Sequence, residues 1–245
     1  MALFVRVAFA ACILLNLSWS VASQTQPVAQ KTLGIISVLG ETFTVKRVGS
    51  SLGADEESEF PIDGWRFDAK TADFAKSLLA KNFKIKTIPI KESAFTALAE
   101  RADPAKDPEA ALAAFIQKFA ASSKCDYYLL ISRGVSEYSN DGQSVNGLGV
   151  VRGKSTLFGE RDIVHALTML RVYDANFKLL RTERGTMGQS NFLATVRGPN
   201  VALHDEKRLP VAADAAFADP RAKELTWQLL EKSLATTLPK LFAAD

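Results

Sequence analysis

The stretch Gly147-Leu148-Gly149-Val150-Val151-Arg152-Gly153-Lys154-Ser155 is the part of the chain that comes nearest to a phosphate-binding loop. In the pattern G-x-x-x-x-G-K-[ST], successive amides curl around the phosphates. Counting back from Gly153 puts Leu148 where the first glycine belongs, with a glycine on either side. The dinucleotide pattern G-x-G-x-x-G fails too, because its last position holds Arg152. The chain beyond Ser155 reads as strand, so the helix N-terminus that would hold an anion is missing. The stretch is expected to be a flexible or hairpin connection, and no cofactor is assigned.

His165 and His204 are the only histidines. They are far apart in sequence, and His165 has no acid beside it at ligand spacing, so no metal site is assigned. His165 sits in an apolar strand, where a hydrogen-bonded core histidine is the ordinary outcome. His204-Asp205-Glu206 belongs to a polar loop and reads as solvated surface. No G-x-S-x-G elbow is present to supply a nucleophile, and no catalytic residue is assigned. The acid run Asp55-Glu56-Glu57-Ser58-Glu59 lacks the alternating oxygen ligands and central glycine of a calcium loop. Trp65 and Trp227 are expected to cover a sheet.

The elements that hold these residues follow from periodicity. Residues 33–39 and 42–48 are apolar or alternating runs separated by Gly40-Glu41, which predicts a hairpin. A polar loop is expected over 49–59. Asp68 is placed to cap a helix over about 69–81, with Phe74, Ala75, Leu78 and Leu79 on one stripe. Residues 83–90 alternate as a strand, and Pro89 puts its end at a sheet edge. A short helix is expected over 92–101. Asp107-Pro108 and Asp219-Pro220 are strong helix starts, each a capping acid followed by proline in the first turn. Residues 126–135 and 163–173 are apolar on both faces and should be central strands, with 178–185 the hairpin partner of the second.

The resulting order is β β α β α β β β α, an α/β fold with helices packed on a mixed sheet of five to six strands. Two segments, 136–159 and 187–218, carry glycine, proline and polar residues and are expected as long loops.

Residues 1–23 read as an export signal. One positive charge precedes an apolar run over 7–17, and small residues follow at Ser20, Ala22 and Ser23. The run is too short to span a bilayer, which takes about 20 residues. Cys12 lies inside that run, which is wrong for a lipidation site. A linker over 24–32 and a single domain over 33–245 follow. Export leaves one cysteine, Cys125, expected as an inert buried thiol, and no internal disulfide.

Among the 245 residues, 30 are Lys or Arg and 27 Asp or Glu, scattered without the basic stripe of a nucleic-acid binder. With 47% hydrophobic residues the chain is too apolar for disorder.

The opening strand over 33–39, the helix-then-strand unit ending in Cys125-Asp126-Tyr127-Tyr128-Leu129-Leu130, and the pair Leu170-Arg171-Val172-Tyr173-Asp174 and Lys178-Leu179-Leu180 come in a familiar order. With the last helix, this order resembles exported α/β domains of bacterial envelope assembly proteins: the curli-secretion lipoprotein CsgG, the lipoprotein activators of penicillin-binding proteins and the N-terminal domain of TolB. The modified cysteine of the lipidated members is missing here. The resemblance implies a non-catalytic, partner-binding role in the cell envelope and transfers no functional residue.

Rigid scaffolds tend to carry function on their loops, so the segments 136–159 and 187–218 are the expected contact regions for an envelope protein. Arg152, Lys154, Arg161 and Arg197 would be the charged contacts. Two alternatives remain. A hydrolase of an envelope polymer would use His165 or His204 with loop carboxylates, and a small-ligand binder would need an apolar pocket with a few polar groups.

Overall fold

A computed structural model describes residues 30–48, 55–90, 107–138, 143–155, 159–188 and 196–243, the side chains of Lys154 and Ser155 excepted. The export segment 1–23, most of the linker and the helix expected over 92–101 lie outside the described residues. In chain order come β1 (Thr32–Val38), β2 (Thr42–Arg47), β3 (Glu56–Pro61), α1 (Phe67–Leu79), β4 (Lys84–Thr87) and α2 (Pro108–Ala120). Then come β5 (Tyr127–Arg133), β6 (Val135–Tyr138), β7 (Gln143–Asn146), β8 (Leu148–Ser155), β9 (Gly159–Ala166) and β10 (Thr168–Asp174). The last elements are β11 (Leu179–Arg184), β12 (Asn200–His204), α3 (Ala213–Ala218) and α4 (Pro220–Leu241).

The architecture is mixed α/β, as the order of elements predicts, and the chain builds two five-stranded sheets. The first runs β11-β10-β5-β1-β4 and the second β12-β9-β8-β2-β3, with β6-β7 a separate hairpin. In the first sheet β1 lies parallel to both β4 and β5, while β10 is antiparallel to β5 and β11. In the second, β2 lies parallel to β8 and antiparallel to β3.

The hairpin expected over 33–48 does not form. At Gly40, where φ is +103°, the chain leaves the first sheet and enters the second. The strand expected over 163–173 is likewise two strands in different sheets, parted at Leu167. Backbone bonds close a ring at this passage: Gly134 N–H to Leu167 C=O, Leu167 N–H to Gly147 C=O, and Gly147 N–H to Gly134 C=O, at 2.9, 2.8 and 2.9 Å. The exchange between sheets therefore leaves none of these donors unsatisfied.

Side-chain alternation then sorts the residues into layers. On β1 and β5, Leu33, Ile35, Leu129 and Ile131 face the main core, which α1 and α4 cover. Phe43, Val45, Val150 and Val164 of the second sheet enter the same core, so α4 is packed against both sheets. The opposite face of the first sheet holds Ile36, Val38, Tyr128 and Leu130 under Leu112, Phe115 and Ile116 of α2. Arg171 of β10 fastens that helix, donating through Nε and Nη2 to Glu109 Oε1 at 3.0 and 2.9 Å.

Both Asp-Pro starts behave as their chemistry predicts. Asp107 accepts from Glu109 N–H at 3.0 Å and Asp219 from Arg221 N–H at 2.9 Å. Asp68 does something else. Helix α1 begins at Phe67 after Arg66, and the Asp68 carboxylate accepts from Ser37 Oγ and Leu39 N–H, both at 2.7 Å, tying the helix to the exit of β1. Trp65 packs against Phe43, Phe67 and Phe217 at 5.2–5.5 Å between ring centres, and Trp227 lies 5.7 Å from Phe67. Both belong to the core periphery.

The acid run is the edge strand β3 for most of its length. Its charges meet the basic residues of β2, with Lys46–Glu57 at 3.8 Å and Arg47–Glu56 at 4.0 Å. Segment 136–159, expected as a loop, contributes to β6, β7, β8 and the start of β9, because its small residues allow close strand approach. A Cβ on Gly149 would fall 2.4 Å from the Thr44 carbonyl oxygen. Segment 187–218 includes β12 and α3. Among the described residues no helix is long and apolar enough to cross a membrane.

Candidate functional site

The outer face of the second sheet, turned away from α4, brings together parts of the two segments expected to carry contacts. Val151, Ile163 and Leu167 form a small cluster there with Tyr138 and Val145 of the hairpin and with Val196. Tyr138 makes an antiparallel bridge to Val196, and Ser136 Oγ accepts from the Arg197 N–H at 2.9 Å. Hairpin β6–β7 and the strand-entry segment 196–200 thus form one surface. Val135 is 55% exposed on it, and Arg197 is exposed. Arg161 lies half-buried on the outward face of β9, opposite His204 in register.

Arg152 points the other way. It is 5% exposed on the core side of β8, beside the fully buried Asp162 of β9, with Nε 3.4 Å from Asp162 Oδ1. Its terminal nitrogens donate to the carbonyls of Pro210 and Val211. Asp162 Oδ2 accepts from Leu209 N–H at 2.8 Å, and Oδ1 also faces Arg208 Nε at 3.6 Å. Burial pushes the Arg152 guanidinium down from its ordinary value, and Asp162 opposes that shift. The cluster clamps residues 208–211 onto the sheet. A pocket of about 110 Å³ opens beside it, between Arg47, Glu160 and Arg208, but Arg208 already donates to Glu160 at 2.6 Å. Lys154 stands on β8 opposite Glu160, its side chain outside the described residues. Of the four basic residues named from sequence, Arg161 and Arg197 therefore lie on the outer face, while Arg152 serves the clamp. The clamp had no local signal, because Arg152 and Asp162 meet only through the β8–β9 register.

The histidines are not brought into one site. His165 is 2% exposed, its Nδ1 donates to the Gly147 carbonyl at 3.1 Å, and burial lowers its pKa to about 4. It is a neutral core residue, as its strand context predicts. His204 is exposed at the end of β12. Among the described residues no group of three His, Cys, Asp or Glu is placed to hold a metal ion. Cys125 is buried at 4% exposure, and desolvation raises its thiol pKa, with Lys86 opposing.

A second concavity, of about 310 Å³, lies at the far side of the first sheet, where the C-terminal end of α4 meets β11 and the starts of β1, β4 and β5. Phe83 and Phe242 are 5.1 Å apart in it, Phe83 and Tyr127 6.2 Å. Nothing in the sequence pattern marks it, since its walls come from separated elements.

No protein-family model and no curated protein matches the chain. Among solved structures it is similar to the C-terminal domain of LpoB from Salmonella enterica, at 8% identity over 66% of this chain and 84% of that one, with a TM-score of 0.23.

Proposed function

We propose that this protein is an exported, non-catalytic accessory component of a bacterial cell envelope that binds another envelope protein through the outer face of its second sheet. One observation carries the reading: the Tyr138–Val196 bridge and the Arg197–Ser136 bond join two glycine- and polar-rich segments into a single surface. An exposed apolar residue, Val135, and basic residues Arg161 and Arg197 share that surface, a composition suited to a protein interface with a polar rim. The export pattern of residues 1–23 supports the compartment.

Photocrosslinkers placed at Val135 and Arg197 in intact cells test it, with Lys84 on the edge strand β4 as the control position. One recurrent adduct from both outer-face positions and none from Lys84 supports the proposal. Equal adducts at all three positions, or none at Val135 and Arg197, overturns it.

A further inference from the structure

The outer edges of the two five-stranded sheets are finished differently. Strand β3 carries Glu56, Glu57, Glu59 and Pro61, β4 carries Lys84 and Lys86, and β11 carries Arg181, Glu183 and Arg184. Charges and proline on an edge strand discourage a further strand from adding to it. The fourth edge, β12, reads Asn200-Val201-Ala202-Leu203-His204 and holds no Lys, Arg, Asp, Glu or Pro.

The register decides which backbone groups of β12 point outward. Ala166 N–H donates to the Pro199 carbonyl at 3.0 Å, and Asn200 lies opposite His165. Hydrogen-bonded pairs alternate along an antiparallel ladder, so Val201 and Leu203 bond to β9. The N–H and C=O groups of Asn200, Ala202 and His204 face away from the sheet, and among the described residues none of these groups has a hydrogen-bond partner. The Asn200 side chain donates to the carbonyls of Val196 and Gly198 at 2.8 and 2.9 Å, which ties it to the strand entry. Ala202 and His204 are exposed.

This edge is complementary to itself. Antiparallel pairing about Ala202 sets Ala202 opposite its copy and Asn200 opposite His204, and every outward group then has a partner. The same two-fold brings the exposed Arg197, ahead of the strand, alongside the exposed Asp205 and Glu206 that follow it in the other copy, with Lys207 beyond them. Among the described residues Arg197, Asp205 and Glu206 form no ion pair within one chain.

We propose that β12 is a dimerisation edge, through which two copies of this chain pair antiparallel about Ala202 and join their second sheets into one continuous sheet. Such an interface is isologous, and its small extent makes the dimer weak and reversible. The contact is the strand edge and not the outer face, so this reading and the one above fail separately.

Sedimentation equilibrium of the protein as purified from the cell that makes it, at concentrations up to about 1 mM, is expected to show a monomer–dimer equilibrium. Amide exchange followed by NMR reads the mode of pairing. The amides of Asn200, Ala202 and His204 should exchange fast in dilute protein and slow as the dimer forms, while Val201 and Leu203 stay slow throughout. Ala202→Pro removes an outward donor and spares the bonds to β9, and should weaken the dimer by about tenfold or more. Arg197→Glu and Glu206→Arg should each weaken it about fivefold, and the two together should restore it. A monomer at every concentration, whether or not another protein adds to the edge, overturns the proposal. So does a dimer that leaves the Asn200, Ala202 and His204 amides unprotected, or one that the charge reversals do not weaken.

Discussion

Arg133 reaches from the end of β5 across the break between the two sheets to Leu39, its Nε donating to the Leu39 carbonyl at 2.7 Å. The same guanidinium donates through Nη2 to Thr42 Oγ1 at 2.8 Å, so it spans the point where the chain changes sheets. Gly40 lies directly under it. A Cβ there would fall 1.7 Å from Arg133 Nη2, and the backbone φ of +103° disfavours any L side chain.

Gly40→Ala is therefore expected to destabilise the fold by about 3 kcal/mol, combining left-handed strain of roughly 1–2 kcal/mol with the loss of a charged hydrogen bond. Gly64→Ala is the control, because a Cβ there meets nothing within 4 Å. Urea unfolding of both variants decides it, and equal midpoints would show that Arg133 moves aside without loss.

The buried Arg152–Asp162 pair predicts an asymmetry. Asp162→Ala leaves Arg152 charged at 5% exposure and releases the Leu209 amide, and should cost about 3–5 kcal/mol. Removing the half-buried outer partner, Arg208→Ala, should cost about 1 kcal/mol. The same unfolding measurement compares them, and similar costs would mean that Asp162 is not the centre of the clamp.

His165 makes stability depend on pH in a defined window. Burial lowers its folded pKa to about 4 from an ordinary 6.5. Between those values the unfolded chain binds a proton that the folded chain does not. Stability should therefore fall as pH drops from 6.5 towards 4, by up to about 3 kcal/mol, and this contribution should level off below. His165→Asn keeps a donor for the Gly147 carbonyl and cannot titrate in this range. It should flatten the dependence; an unchanged slope would assign the effect to other groups.

The parts of this fold that are legible in sequence are those set by local chemistry. Asp107-Pro108 and Asp219-Pro220 cap α2 and α4 because a carboxylate and a missing N–H act within one turn. Strand pairing is not local. Residues 163–173 keep a strand-like apolar pattern through Leu167, so nothing in the run announces that its halves belong to different sheets. Strand β3 is hidden for the opposite reason: as an edge it carries Glu56, Glu57 and Glu59, and Lys46 and Arg47 across the pair answer the first two of those charges. At the candidate interface the same limit separates two arginines. Arg197 keeps the exposure that its polar surroundings in sequence suggest, whereas Arg152 is buried by Asp162, a partner that only the β8–β9 register supplies.

Cys125 gives a probe of how α2 is held. Its thiol is 4% exposed in the core beneath that helix, its N–H donates to the Tyr128 hydroxyl at 3.2 Å, and Tyr128 donates onward to the Ala120 carbonyl at 3.3 Å. Burial raises the thiol pKa, so little thiolate exists in the folded state at neutral pH. Ellman's reagent should react with the native protein only through opening, and at full rate in denaturant. Leu112→Ala removes a buried contact of α2 worth about 2–5 kcal/mol. It should raise the labelling rate by about 30-fold or more where opening is in rapid equilibrium. Leu234→Ala, in the main core on α4, separates the two modes of opening. If it speeds labelling equally for the same loss of global stability, Cys125 is exposed only by global unfolding. If Leu112→Ala alone speeds it, α2 opens by itself while the sheets stay intact.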